Sequence, residues 1–301
     1  MTKSLFGSID RIIGGGHGFK KAKMMVPVFY YFLFFFAFQK LEGLNPFVAL
    51  GQRNFSPRWP IFWTEYTDYA TAASLIIVFF VFASLTASFF WTQRIPRVLG
   101  FLGMLQYHAF TSSFGKPSHQ LDLWLWVAFL LVFLPKNQRK FLLVFWAIQA
   151  FILLTYSMSG IGKIVMAFDQ YFKGQATLFS PDAGVLHITT MLNRMQEPSL
   201  HGPLIVNYPL LGWIPLLLIV YLQFFSFVVA FRPSLHRVWA AALILFHVGT
   251  DLTGLSVFVA PSALFLVFLL GSPFQISKSV RRTILDLPGV SLIDRLRRSL
   301  T

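Results

Sequence analysis

Eight apolar runs follow one another along the chain, at residues 24–41, 69–92, 97–114, 120–135, 140–163, 209–231, 235–252 and 255–272. Several reach the roughly 17–25 residues that a helix needs to cross a bilayer. The pattern predicts an all-α fold, a polytopic integral membrane bundle of about eight transmembrane helices. Two of the intervening segments are long. Residues 43–68 carry Trp59, Pro60 and Trp63, suited to a membrane interface. Residues 164–208 are too long for a structureless connection, and Leu186 to Leu192 reads as a short surface helix within them. These two segments are expected to form an outer-face cap. The first run follows a basic N-terminus and lacks a small-residue cleavage site, so it reads as an uncleaved first helix. The expected layout is a cytoplasmic basic interfacial segment at 1–23, one transmembrane domain at 24–274 and a cytoplasmic basic tail at 275–301. Residues 4–13 mix apolar and charged positions in the manner of an interfacial helix.

Basic residues set the orientation of such a chain. Of its 25 Lys and Arg, 18 fall in the N-terminal segment, residues 92–97, 135–140 and 232–237, and the tail. The other seven are Lys40, Arg53, Arg58, Lys116, Lys163, Lys173 and Arg194, all in the alternate segments or at the helix ends beside them. The asymmetry predicts a multi-pass protein of the cytoplasmic (inner) membrane with both termini cytoplasmic.

Composition narrows the function classes. The chain is 56% hydrophobic and 12% charged, against about 25% charged in soluble domains. It has no cysteine, which excludes disulfides, thiolate nucleophiles and Cys-ligated metal or iron–sulfur sites. The net charge of +14 reads as attraction to the anionic cytoplasmic leaflet rather than to nucleic acid. The lipid bilayer is therefore the first expected partner. The glycines around His17 do not follow a strand, so they make no nucleotide-binding fingerprint.

Lys163 draws most attention among the polar residues. It closes the string Tyr156-Ser157-Met158-Ser159-Gly160-Ile161-Gly162-Lys163 behind an apolar run. A charge so close to hydrocarbon suggests function, and the competing reading is an interface lysine that snorkels to water. A rise of about 1.5 Å per residue puts Lys163 about 33 Å above the inner end of its span. On the same measure His119 lies about 25 Å up, Asp251 about 21 Å, His108 about 16 Å and His247 about 15 Å. All sit at or above the midplane on the outer side, which suggests a cavity opening outward. His247 and Asp251 are four residues apart on one helix face, and they either pair with each other or supply two metal ligands. Two ligands are too few for a site unless His108 or His119 joins them, so no metal is predicted. Gln149 and Gln223 read as hydrogen-bonding ties between helices.

Ser159-Gly160-Ile161-Gly162-Lys163 resembles a motif of the membrane domain shared by vitamin K-dependent gamma-carboxylases and the bacterial horizontally transferred transmembrane (HTTM) proteins. In that family a helix ends in small-Gly-x-Lys, followed by a short acidic or aromatic stretch and a glycine. Ser118-His119 and Phe246-His247 resemble its Asn-His and Phe-His motifs. The resemblance covers most of residues 24–274. It implies Lys163 as the base that deprotonates a reduced quinone (vitamin K-like) cofactor, with His119 and His247 supporting the catalysis. His108 and Asp251 would line the cofactor's cavity. Such a lysine must be neutral to act, a state that burial in an apolar pocket favours. Oxygenation of the quinol would then generate the strong base of a lyase-type carboxylation. The large luminal domain of the carboxylases has no counterpart after residue 274, so a secreted peptide or protein substrate would meet the membrane domain or a partner protein. The implied alternatives are a non-enzymatic accessory protein for maturation or export of a secreted peptide, and a structural subunit of a membrane complex.

Overall fold

A computed structural model describes residues 7, 17–42, 55–114, 119–175, 177–186, 189, 202–252, 259–274, 283–284 and 286–290. The side chains of residues 17, 42, 119, 120, 251, 252 and 259 lie outside that description. The described residues are helical, with no strand among them. The elements are α1 (His17–Glu42), α2 (Tyr69–Phe89), α3 (Arg94–Ser112), α4 (His119–Val132), α5 (Gln138–Phe172), α6 (Gly202–Asn207), α7 (Pro209–Ala230), α8 (His236–Leu252) and α9 (Val259–Leu264). A π-helical turn, Phe265–Leu270, continues α9. Of the expected surface helices at 4–13 and 186–192 only residues 7, 186 and 189 are described, all helical, and most of the tail lies outside the described residues.

Among the described residues four helices are long and apolar enough to cross a bilayer: α1, α2, α5 and α7. The other apolar runs are helical over most of their described residues, but α4 has 14 residues and α8 has 17. At about 1.5 Å per residue neither covers a hydrocarbon core about 30 Å thick unaided. The exposed faces of the helices are as apolar as the buried ones. Tyr31, Phe35 and Phe38 stand out from α1, and Leu75, Val78 and Phe82 from α2. Such continuous apolar stripes would aggregate in water and suit acyl chains.

The chain forms two compact units, residues 1–148 and 149–301, and their boundary falls inside α5. In the first unit α1 packs on α2, α2 on α3 and α3 on α4. Lipid is as apolar as leucine, so close packing and hydrogen bonds hold such helices together. Gly100 and Gly103 let α3 approach α2. A Cβ on Gly103 would stand 3.1 Å from Phe80 Cα, and one on Gly100 would stand 3.1 Å from Ala87 Cβ. Aromatic stacking of Phe29 on Trp124 and of Phe80 on Tyr107 fills the interior. Arg97 is buried, and its guanidinium donates to the Trp91, Val132 and Leu134 carbonyls at 3.1, 3.4 and 3.1 Å. The last two are orphaned acceptors at the end of α4. One of the basic residues counted toward the expected orientation is therefore a tie between helices.

In the second unit α7 packs on α8, and α8 on the π-turn. The Ser272 amide bonds the Leu269 carbonyl, and Pro273, next in line, has no N–H to offer. The buried Gln149 donates its Nε2 to the Phe268 carbonyl at 2.5 Å instead. This agrees with its reading as a tie.

One expected boundary is corrected. The motif resemblance ends a helix at Lys163, but α5 continues to Phe172. Ile164 to Phe168 contains no helix breaker, so nothing stops the hydrogen-bond ladder there. The stop is Gly174, whose φ of 66° is left-handed. The Gln175 amide bonds the Gln170 carbonyl across it at 3.0 Å, as in a Schellman cap. With 35 residues, α5 is about 52 Å long, well beyond one hydrocarbon thickness. Lys163 therefore sits within a continuous helix.

Candidate functional site

Lys163 lies on the face of α5 that meets α7. Two small residues make that meeting possible. Ser157 Oγ donates to the Phe224 carbonyl at 2.9 Å. Gly160 sits one turn on, and a Cβ there would collide with the Phe224 nitrogen. The spacing of 157, 160 and 163 keeps all three on one side of the helix. The α7 backbone is thus drawn against α5 one turn below the lysine. The second glycine of the motif, Gly162, plays no such part, because a Cβ there would meet nothing within 4 Å.

The Lys163 ammonium turns into this contact. Nζ donates to Gln223 Oε1 at 2.9 Å and to Ser159 Oγ at 3.1 Å. Gln223 is buried on α7, and Lys163 itself is half-buried. No carboxylate among the described residues lies within ion-pair distance of Lys163. The geometry departs from the snorkelling alternative, in which the head group extends to water rather than into a neighbouring helix.

His247 belongs to the same unit. It is 2% exposed. Its Nε2 stands 3.0 Å from Tyr156 Oη, and its Nδ1 stands 2.8 Å from Ser262 Oγ on α9. The imidazole also stacks on Phe265 at 5.3 Å between centroids, while Tyr156 packs edge-on against the same ring. Tyr156 and Lys163 are seven residues apart, two turns of α5, with Ser159 between them.

His108 belongs to the first unit. There its Nε2 meets Asp122 Oδ1 at 2.5 Å, so that α3 and α4 are joined by an imidazole–carboxylate pair. His119 begins α4, one turn before Asp122, and Asp251 stands in the last turn of α8. Their side chains lie outside the described residues, as does any pairing of Asp251 with His247. Among the described residues no three His, Asp or Glu side chains converge as metal ligands would.

The structure therefore joins Lys163 with Gln223 and Ser159, His247 with Tyr156 and Ser262, and His108 with Asp122. Sequence reasoning gave Gln223 a bridging role without its partner. It assigned nothing to Tyr156 or Ser262. Tyr156 opens the string that ends in Lys163, and the two-turn spacing is the signal that could have found it. Ser262 offers no such signal, because a serine in an apolar helix ordinarily bonds its own backbone. No known protein family, curated protein or solved structure matches this chain.

Proposed function

We propose that this chain is an eight-span protein of the cytoplasmic membrane with both termini inside and an outer cap, and that Lys163 is its functional centre. In this reading it belongs with the HTTM and gamma-carboxylase-like membrane domains. It takes a quinone-like or lipidic ligand from the outer part of the bilayer, and Lys163 acts as base toward that ligand's acidic hydroxyl. His247, in the same unit, assists, and Asp251 on the same helix as His247 lines the ligand's cavity.

The observation that carries this is the lysine's anchorage. Lys163 is held by neutral acceptors, Gln223 Oε1 and Ser159 Oγ, and not by a carboxylate of the described residues. A carboxylate partner would stabilise the ammonium, whereas neutral partners leave the amine accessible to proton exchange. The same anchorage serves a protein that only binds, and orients a peptide for maturation or export with the cation.

One pair of substitutions separates the two. Lys163→Ala should abolish function in either case. Lys163→Arg keeps the charge but cannot act as a base, because a guanidinium does not give up its proton near neutral pH. In a cellular assay of the function carried by neighbouring genes, Lys163→Arg is expected to be as inactive as Lys163→Ala, with both proteins present at wild-type levels. Full activity of Lys163→Arg would remove the catalytic reading and leave the binding one.

A further inference from the structure

We infer that Tyr156, rather than His247, is the second group that meets the ligand, and that His247 is a positioning residue acting through it. The inference rests on the proposed role of Lys163 but is carried by separate geometry. His247 cannot reach a ligand itself. It is 2% exposed, both ring nitrogens are engaged by Tyr156 and Ser262, and its ring is packed on Phe265. Tyr156 also packs against Phe265, but it differs in exposure and in bonding. It keeps some exposed surface, and it shares a face of α5 with Ser159 and Lys163. A phenol has one O–H and two lone pairs, so a single bond to imidazole leaves its oxygen able to bond a ligand.

The arrangement suits an apolar surrounding. A neutral imidazole carries one donor and one acceptor. With the proton on Nδ1, it donates to Ser262 and accepts from Tyr156, and the tyrosine oxygen offers lone pairs. With the proton on Nε2, it donates to Tyr156, and the phenolic O–H turns to the ligand. Tyr156 can thus present either a donor or an acceptor without a charge forming in the low-dielectric interior. The chemical class it fits is a ligand with a carbonyl or hydroxyl oxygen on an apolar body, engaged at one end by Lys163 and along the helix by Tyr156.

The test uses the full chain in nanodiscs, with histidine labelled by ¹⁵N. The probe is a benzoquinol carrying one isoprenoid unit, and its retention by the protein is measured beside the spectrum. Tyr156→Phe keeps the ring against Phe265 and removes only the hydroxyl. The His247 Nε2 resonance is expected to move on this substitution, and the Nδ1 resonance on Ser262→Ala. Probe should shift Nε2 in the wild type but not in Tyr156→Phe, which is expected to retain probe at least fivefold less well. His247→Gln should add nothing to Tyr156→Phe in the double variant. Probe that is retained by wild type and lost by Lys163→Ala, yet leaves Nε2 unmoved, overturns this inference and spares the role of Lys163. Failure of the wild type to retain probe overturns both.

Discussion

Gly160 and Gly162 stand two residues apart in the same string, and the structure requires them to respond oppositely to alanine. A Cβ at Gly160 would run into the Phe224 nitrogen and lie 2.8 Å from Gln223 C and Phe224 Cα, all backbone atoms of α7. Ordinary contact is about 3.5 Å or more, so the helices must part by about 1 Å. Overpacking of this kind costs about 1–3 kcal/mol. The Ser157–Phe224 and Lys163–Gln223 bonds would stretch as well, at roughly 0.6 kcal/mol for each membrane hydrogen bond. Alanine's better helix propensity returns at most about 1 kcal/mol. The net expectation for Gly160→Ala is a loss of about 1–3 kcal/mol. At Gly162, where a Cβ meets nothing within 4 Å, only the propensity gain of at most about 1 kcal/mol remains. Thermal melts of the purified protein in one detergent read the difference. At about 2–4 °C per kcal/mol, Gly160→Ala should melt about 2–12 °C below wild type, and Gly162→Ala at or slightly above it. Equal midpoints for the two variants would refute the α5–α7 contact, and with it the anchorage of Lys163.

Arg97→Lys should destabilise by about 2–4 kcal/mol in the same melts, because one ammonium cannot serve three carbonyls in the places a guanidinium reaches; a midpoint equal to wild type would deny the tie between α3 and the end of α4. Asp68 caps α2 by accepting from the Thr71 amide at 2.9 Å, and hydrogen bonding to Thr71 holds its carboxyl below the usual carboxylate range. Its contribution is therefore complete above the unfolded value of about 4 and fades as the pH falls through the lower folded value. Asp68→Asn, which keeps a capping oxygen, should make stability less dependent on pH between 5 and 2, on the order of the shift expected for a single cap, and an unchanged profile would count against the cap. For topology, cysteines at Ser56 and Ser199 should react with an impermeant thiol reagent in intact cells while one at Ser279 does not; labelling at Ser279 alone would invert the orientation.

Sequence alone determined that this is an all-helical chain with apolar helices of membrane-crossing length, and it singled out Lys163, His108 and His247. These follow from composition and run length, which act residue by residue and need no knowledge of partners. The true end of α5 was legible too, in Gly174, but the motif resemblance drew the boundary at Lys163, nine residues early. Which glycine is a stop and which is a notch depends on what lies opposite. Gly160 faces the α7 backbone, Gly162 faces nothing within 4 Å, and Gly174 adopts the left-handed φ. Partnership was decided by the fold in the same way. Gln223 is 60 residues from Lys163, Tyr156 is 91 from His247, and Arg97 is 37 from Leu134. A side chain's periodicity gives the face it occupies, but only the packing of a second helix determines which polar group waits there.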